Sequence, residues 1–162
     1  MFDLALMLCD DDVLRGAGWL SDPGAFDPGG IGIFETKKGA RLVVDGSVGM
    51  EHAFQANIVG EKGLVRILDG GIEFELWTKD ESSEFGQMAR RHLPMNYTIG
   101  NPMLHAVGDL VRCMEEGGRP QSSGFEGRQA FEMISAIHLS SRQGRAFVEF
   151  PLEDRELVIP SN

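Results

Sequence analysis

Two cysteines, one tyrosine and two tryptophans are few for 162 residues, and Lys plus Arg number only 15 against 25 Asp plus Glu. The resulting net charge of −10 argues against DNA, RNA or an anionic membrane as partner, because those are held by surplus cations. No apolar run approaches the roughly 18–20 residues of a membrane-spanning helix. The opening "MFDLALMLCDDD" has an acidic flank and no basic stretch, unlike a secretory signal. Cys9 and Cys113 stand far apart within apolar stretches, which reads as free thiols in a reducing cytoplasm rather than a disulfide. The chain is long enough for one domain with a real core and short for two.

What is present alternates short strand-like runs with turns. "GIGIFET", the turn "KKGA" and "RLVVDGS" predict a hairpin over 31–47. "HAFQANIVG", "LVRILDG" and "IEFELWT" continue the series, separated by "EKG" and "DGG". In "IEFELW", Ile72, Phe74 and Leu76 alternate with Glu73, Glu75 and Trp77, the pattern of a sheet with one covered face. Residues 79–100 are polar and irregular and read as a long excursion with one weak helical turn.

Helices flank the strands. "FDLALML" has helical spacing but no N-cap residue before it. "NPMLHAVGDLVRCMEEGG" has Asn101 as N-cap, Pro102 at the first helical position and Gly117–Gly118 as the stop. Met103, Val107, Leu110, Val111 and Met114 form its apolar stripe, opposite His105, Asp109, Arg112 and Glu116. A helix from Glu126 to Gln143 is expected to bury Ala130, Ile134, Ile137 and Ser141, with Met133 beside them, before Gly144 and the closing strand "RAFVEFPL". The class is α+β: a mostly antiparallel, open-faced sheet with helices packed on one face, over a single domain spanning 1–162.

Catalytic groups are sparse. Gly16-Ala-Gly18 and Gly30-Ile-Gly32 do not continue as G-x-G-x-x-G into a helix, so they read as turn glycines and bind no dinucleotide. Asp10, Asp11 and Asp12 point in different directions and read as a solvated helix end, not a cation loop. His52, His92, His105 and His138 show no metal-ligand spacing, so no metal is expected. His105 and Asp109 stand four apart on a polar helix face, where a carboxylate could orient an imidazole; a surface contact is the commoner outcome. His138 reads as packed. "SSGFEG" is not a nucleophile elbow. Glu73 and Glu75 could flank a sugar, although exposed glutamates on a sheet are commoner.

The stretch "HAVGDLVRCMEEGGRPQSSGFEGRQAFEMISAIHLSSRQGRAFVEFPL" resembles the C-terminal end of the glucose-fructose oxidoreductase / inositol dehydrogenase-like (Gfo/Idh/MocA) family. The shared features are Gly118-Arg119-Pro120, the Ser123-Gly124 to Gly127 loop, and Ser140-Ser141 running to Gly144. Upstream, "GARLVVDGS" and "NIVGEKGLVRI" look like the family's strands, with Gly60-Glu-Lys-Gly63 at the turn. The resemblance implies the fold of dihydrodipicolinate-reductase-like and glyceraldehyde-phosphate-dehydrogenase-like C-terminal domains. It also implies an N-terminal Rossmann domain, absent here, that holds NAD or NADP. "MFDLALML" looks like the continuation of the family's D-x-x-x-H-x-x-D stretch, with Asp3 at its last aspartate and the catalytic His just before Met1. Asp3 would then orient that histidine. Tyr97, Asn101 and His105 would contact a sugar, cyclitol or related polyol. The open sheet face would pair copies into a homo-oligomer. No cofactor-binding residue is expected in this chain, which alone would be inactive. The rival reading is a stand-alone, non-catalytic domain that dimerises or binds carbohydrate.

Overall fold

A computed structural model describes residues 2–26, 28–46, 54–93, 100–153 and 159. In chain order its elements are α1 (Phe2–Cys9), β1 (Val13–Leu20), β2 (Gly30–Thr36), β3 (Arg41–Asp45), β4 (Ala56–Gly60), β5 (Gly63–Leu68), β6 (Glu73–Lys79), β7 (Met88–Arg91), α2 (Pro102–Glu116), α3 (Gly124–Arg142) and β8 (Val148–Glu149). The fold is α+β, and both of its four-stranded sheets are antiparallel. Two compact units share the chain: Met1–Gly49 with Met103–Asn162, and Met50–Pro102.

The first unit is built on the sheet β3-β2-β1-β8, against which α3 packs. Its core gathers Phe34, Met133 and Ala136, all fully buried, with Leu6, Val13, Val44, Ile137 and Leu152. The predicted hairpin is β2 and β3, and α3 ends at Arg142 as its Gly144 stop requires. The covered stripe of α3 is rotated from the expected one: Met133, Ala136, Ile137 and Ser140 are its centre, whereas Ala130, Ile134 and Ser141 are only half-buried. Met133 and its i+3, i+4 and i+7 neighbours share one side of a helix.

Glycines at 16, 18, 30 and 32 do not make turns; all four lie inside β1 and β2. Gly16 faces Phe34 and Gly18 faces Gly32 across the ladder. A Cβ on Gly16 would meet the Phe34 ring at 2.4 Å, and one on Gly32 would meet Ile137 Cδ1 at 2.7 Å. The missing side chains make the groove that admits the phenyl ring and the helix, a use of strand glycine that composition does not distinguish from a turn.

Strand β8 is short and pairs with β1 only at Arg15 and Gly16. Beyond it, α3 completes the edge of β1: Gly18 N–H donates to Ser140 Oγ at 2.9 Å and Leu20 N–H to Ser141 Oγ at 3.4 Å. Ser140 in turn donates to the Ala146 carbonyl at 2.7 Å. Buried backbone donors left by a truncated ladder need such partners.

The second unit is the meander β4-β5-β6-β7. Its register places Ile58, Val65, Ile67, Phe74 and Leu76 on one face and Asn57, Arg66, Glu75, Trp77 and Arg90 on the other. The expected polar excursion at 79–100 therefore contains a strand, β7, paired with β6. Among the described residues no helix is long and apolar enough to cross a membrane.

Candidate functional site

Asp3 lies half-buried in the first turn of α1, a helix that packs on α3, and accepts a hydrogen bond from Ser122 Oγ at 3.3 Å. Ser122 belongs to the connection between α2 and α3, which opens with Gly117 and Gly118 at φ of +76° and +131°, values that favour glycine. Ser123 then caps α3. Its Oγ accepts from Phe125 N–H at 3.2 Å, and its own N–H donates to Glu126 at 2.8 Å, a reciprocal capping box. Arg119 pairs with Glu126 and lies 5.1 Å from the centre of the Phe125 ring. That guanidinium, followed by the Ser123 hydroxyl and N–H, holds the Glu126 carboxyl down at about 2. The Gly118-Arg119-Pro120 and Ser123-Gly124 features are thus a loop stapled to its helix.

His105 is exposed on α2, and the carboxylate proposed to orient it is engaged elsewhere. Asp109 accepts from Gln121 N–H at 2.8 Å and pairs with Arg112, and these contacts lower its pKa, the Gln121 amide most. The His105–Asp109 pair is therefore replaced by a latch between α2 and the following loop. Among the described residues no hydrogen bond or ion pair joins Asp3 to His105. Asn101 is exposed just before α2, and Tyr97 lies outside the described residues. The apolar stripe of α2 is uncovered: Met103 is 69% exposed, Met114 78%, and no residue of the helix is buried.

Glu75 departs from the expectation of an exposed glutamate. It is buried, accepts from Trp77 Nε1 at 3.0 Å, and pairs with Arg66 at 3.3 Å and Arg90 at 3.2 Å. The indole hydrogen bond and then the two guanidinia lower its pKa against the cost of burial. Alternation in "IEFELW" shows which residues share a face; it does not show that arginines from β5 and β7 converge there.

The aspartate run also has a structural job. Asp11 accepts from Lys38 N–H at 2.6 Å and Asp12 pairs with Lys37 at 2.8 Å, so the run clasps the β2–β3 turn as well as ending α1. His138 is buried as expected, and burial, then Arg142, lowers its pKa. Cys9 and Cys113 are free and half-buried, and burial raises the Cys9 pKa. Among the described residues no three His, Cys, Asp or Glu side chains are placed to hold a metal ion. What these groups can do is position and bind: Asp3, Asp11, Asp12, Glu75, Asp109 and Glu126 are each tied to a hydrogen-bond donor or a cation.

No protein-family model and no curated protein matches the chain. Solved structures do. A WlbA dehydrogenase from Bordetella pertussis, in complex with NADH and UDP-GlcNAcA, superposes with a TM-score of 0.66 at 18% identity, covering 94% of this chain and 43% of that one. A UDP-N-acetylglucosamine 3-dehydrogenase, GnnA, from Acidithiobacillus ferrooxidans superposes at 0.66 and 11% identity, over 85% of this chain and 45% of that one. An NAD-binding protein from Listeria innocua gives 0.65 and 19%, over 91% and 44%. The likeness establishes a shared fold, and the chain spans less than half the length of each of these proteins.

Proposed function

We propose that this chain is the substrate-binding and assembly part of an NAD(P)-dependent oxidoreductase of the Gfo/Idh/MocA type. Its substrate is a sugar, cyclitol or related polyol, and the reaction class is hydride transfer between a nicotinamide and a secondary alcohol or ketone. The observation that carries this reading is the shared fold: 85–94% of the chain superposes on dehydrogenases of which it spans only 43–45%.

The strand glycines do not form a dinucleotide turn. A dinucleotide's pyrophosphate needs a glycine turn opening onto a helix N-terminus. Here Gly16, Gly18 and Gly32 are interior to strands, Gly30 begins one, and the space above Gly16 and Gly32 is filled by Phe34 and Ile137. On this reading the nucleotide is held by a separate Rossmann domain, and no step of the reaction is assigned to this chain. Its share is to present Asp3, steadied by Ser122, beside that domain, and to offer Tyr97, Asn101 and His105 to substrate hydroxyls. Amide, phenol and imidazole groups suit hydroxyls because each both donates and accepts across its polar atoms. The apolar face carrying Ile58, Val65, Phe74 and Leu76, each half-buried in the single chain, pairs copies of the protein.

Peptide mapping of the native polypeptide that contains "SGFEGRQAFEMISAIHLSSR", followed by titration with NADH and NADPH, tests the proposal. The expected product is about twice this length, as the neighbours' coverage implies, and it binds one of the two nucleotides. A native product ending at Met1 that binds neither overturns the oxidoreductase reading in favour of a free-standing binding or dimerisation domain.

A further inference from the structure

A cavity of about 160 Å³ opens in the first unit where the α1–β1 junction, the β2–β3 turn, the first half of α3 and the segment after β8 meet. Asp12, Lys37, Phe125, Arg128, Glu132 and Phe150 set its chemistry, and none of Asp3, Asn101 and His105 lines it. At roughly 30 Å³ per water it would hold about five waters, or one six-membered ring.

Most of its polar groups are already fixed. Asp12 is held by Lys37 at 2.8 Å and by Gln129 Nε2 at 3.3 Å, which makes a side wall of cancelling charge. Glu132 Oε1 accepts from Leu152 N–H at 2.6 Å, and its second oxygen has no hydrogen bond among the described residues. Phe150 is braced edge-on by the fully buried Phe34 at 6.3 Å. Phe125, half exposed and with Arg119 over one face of its ring, supplies a second phenyl surface. Arg128 stands between Phe125 and Glu132 on α3 and has no ion pair or hydrogen bond among the described residues. By contrast, Arg15, Arg66, Arg90, Arg112 and Arg119 each hold a carboxylate.

The geometry points to a binding site for a small hydroxylated monocarboxylate about the size of one sugar ring. The carboxylate meets the Arg128 fork, for which a planar two-oxygen anion is the matching shape. A hydroxyl donates to the second oxygen of Glu132. The C–H face of the ring lies on Phe125 and Phe150, which a pyranose presents and a bare phosphate does not. Asp12 and Lys37 cancel, so the remaining charges, Arg128 and Glu132, accept one negative group and one hydrogen-bond donor. Asp12, Glu132 and Phe150 are held by their own partners, so the ordering left for the ligand to impose is that of Arg128 and Phe125.

The test is amide NMR of the full chain titrated with D-glucuronate, with methyl glucoside and inorganic phosphate as comparison probes. Glucuronate is expected to shift Phe125, Gln129, Glu132 and Leu152 saturably, more than either comparison probe. Arg128→Gln, a change at an exposed helical position, should weaken it about tenfold or more, the loss of one charge-assisted contact. Phe125→Ala should weaken it too while leaving the thermal midpoint near the parent's. Equal shifts from phosphate would reduce the site to an unspecific cation and overturn the proposal. So would unchanged affinity in Arg128→Gln, or no saturable shift with glucuronate.

Discussion

Ser140 sits where β8 stops, and its hydroxyl does the work of a missing strand residue: it accepts from Gly18 N–H and donates to the Ala146 carbonyl, fully buried. Ser140→Ala leaves both backbone groups without that partner and should cost about 1–3 kcal/mol in urea denaturation, the penalty for a buried unsatisfied polar group. Gly32→Ala should cost a similar amount, about 1–3 kcal/mol, because its methyl would stand 2.7 Å from both Ile137 Cδ1 and the Phe34 ring in a filled groove. His138 gives a pH signature. Its folded pKa lies below 6.5 because burial disfavours the charged form. As the pH falls through 6.5 the unfolded chain takes up the proton first, so stability is complete above that value and declines toward the folded pKa. Thermal melts across about pH 8 to pH 5 should fall on the acid side, and His138→Gln should flatten the profile.

At the scale of elements, α3 and α2 behave oppositely. Helix α3 is capped by Ser123 and Glu126 and packed along β1. Glu126 titrates from 4.5 in the open chain to about 2 in the fold, so its stabilising share is present above 4.5 and is lost as the pH drops toward 2. Glu126→Gln should remove that acid-side slope from helix melting followed by circular dichroism. Helix α2 holds a strong amphipathic pattern yet buries nothing, with Val107 at 53% and Leu110 at 50% exposure. The chain by itself should therefore bind an apolar dye, and Val107→Gln with Leu110→Gln should lower that fluorescence without lowering the melting temperature; unchanged fluorescence would place the dye elsewhere. Periodicity told correctly that one face of α2 is apolar. It could not tell what covers it, because the period of a helix carries no information about its neighbour.

For the whole molecule, the proposed pairing through the apolar face of the second sheet predicts a concentration-dependent oligomer in light scattering, and Val65→Lys should shift it toward monomer by placing a charge among Ile58, Phe74 and Leu76. The sequence by itself determined the α+β class, the hairpin of β2 and β3, the extents of α1, α2 and α3, the glycine stops, and the acidic balance. Those are local: caps, turns and periods of two and 3.6 act within a few residues. Only the tertiary structure decided the rest. Gly16, Gly18 and Gly32 became floor for Phe34 and Ile137, Glu75 became the buried hub of Arg66, Arg90 and Trp77, and Ser122 became the partner of Asp3. Each of these depends on side chains far apart in the chain arriving at one place. Arg66 comes from β5, Glu75 from β6 and Arg90 from β7; Ser122 stands 119 positions from Asp3. Burial then turns such meetings into chemistry, since a carboxylate withdrawn from water keeps its charge only where opposite charges and donors converge on it.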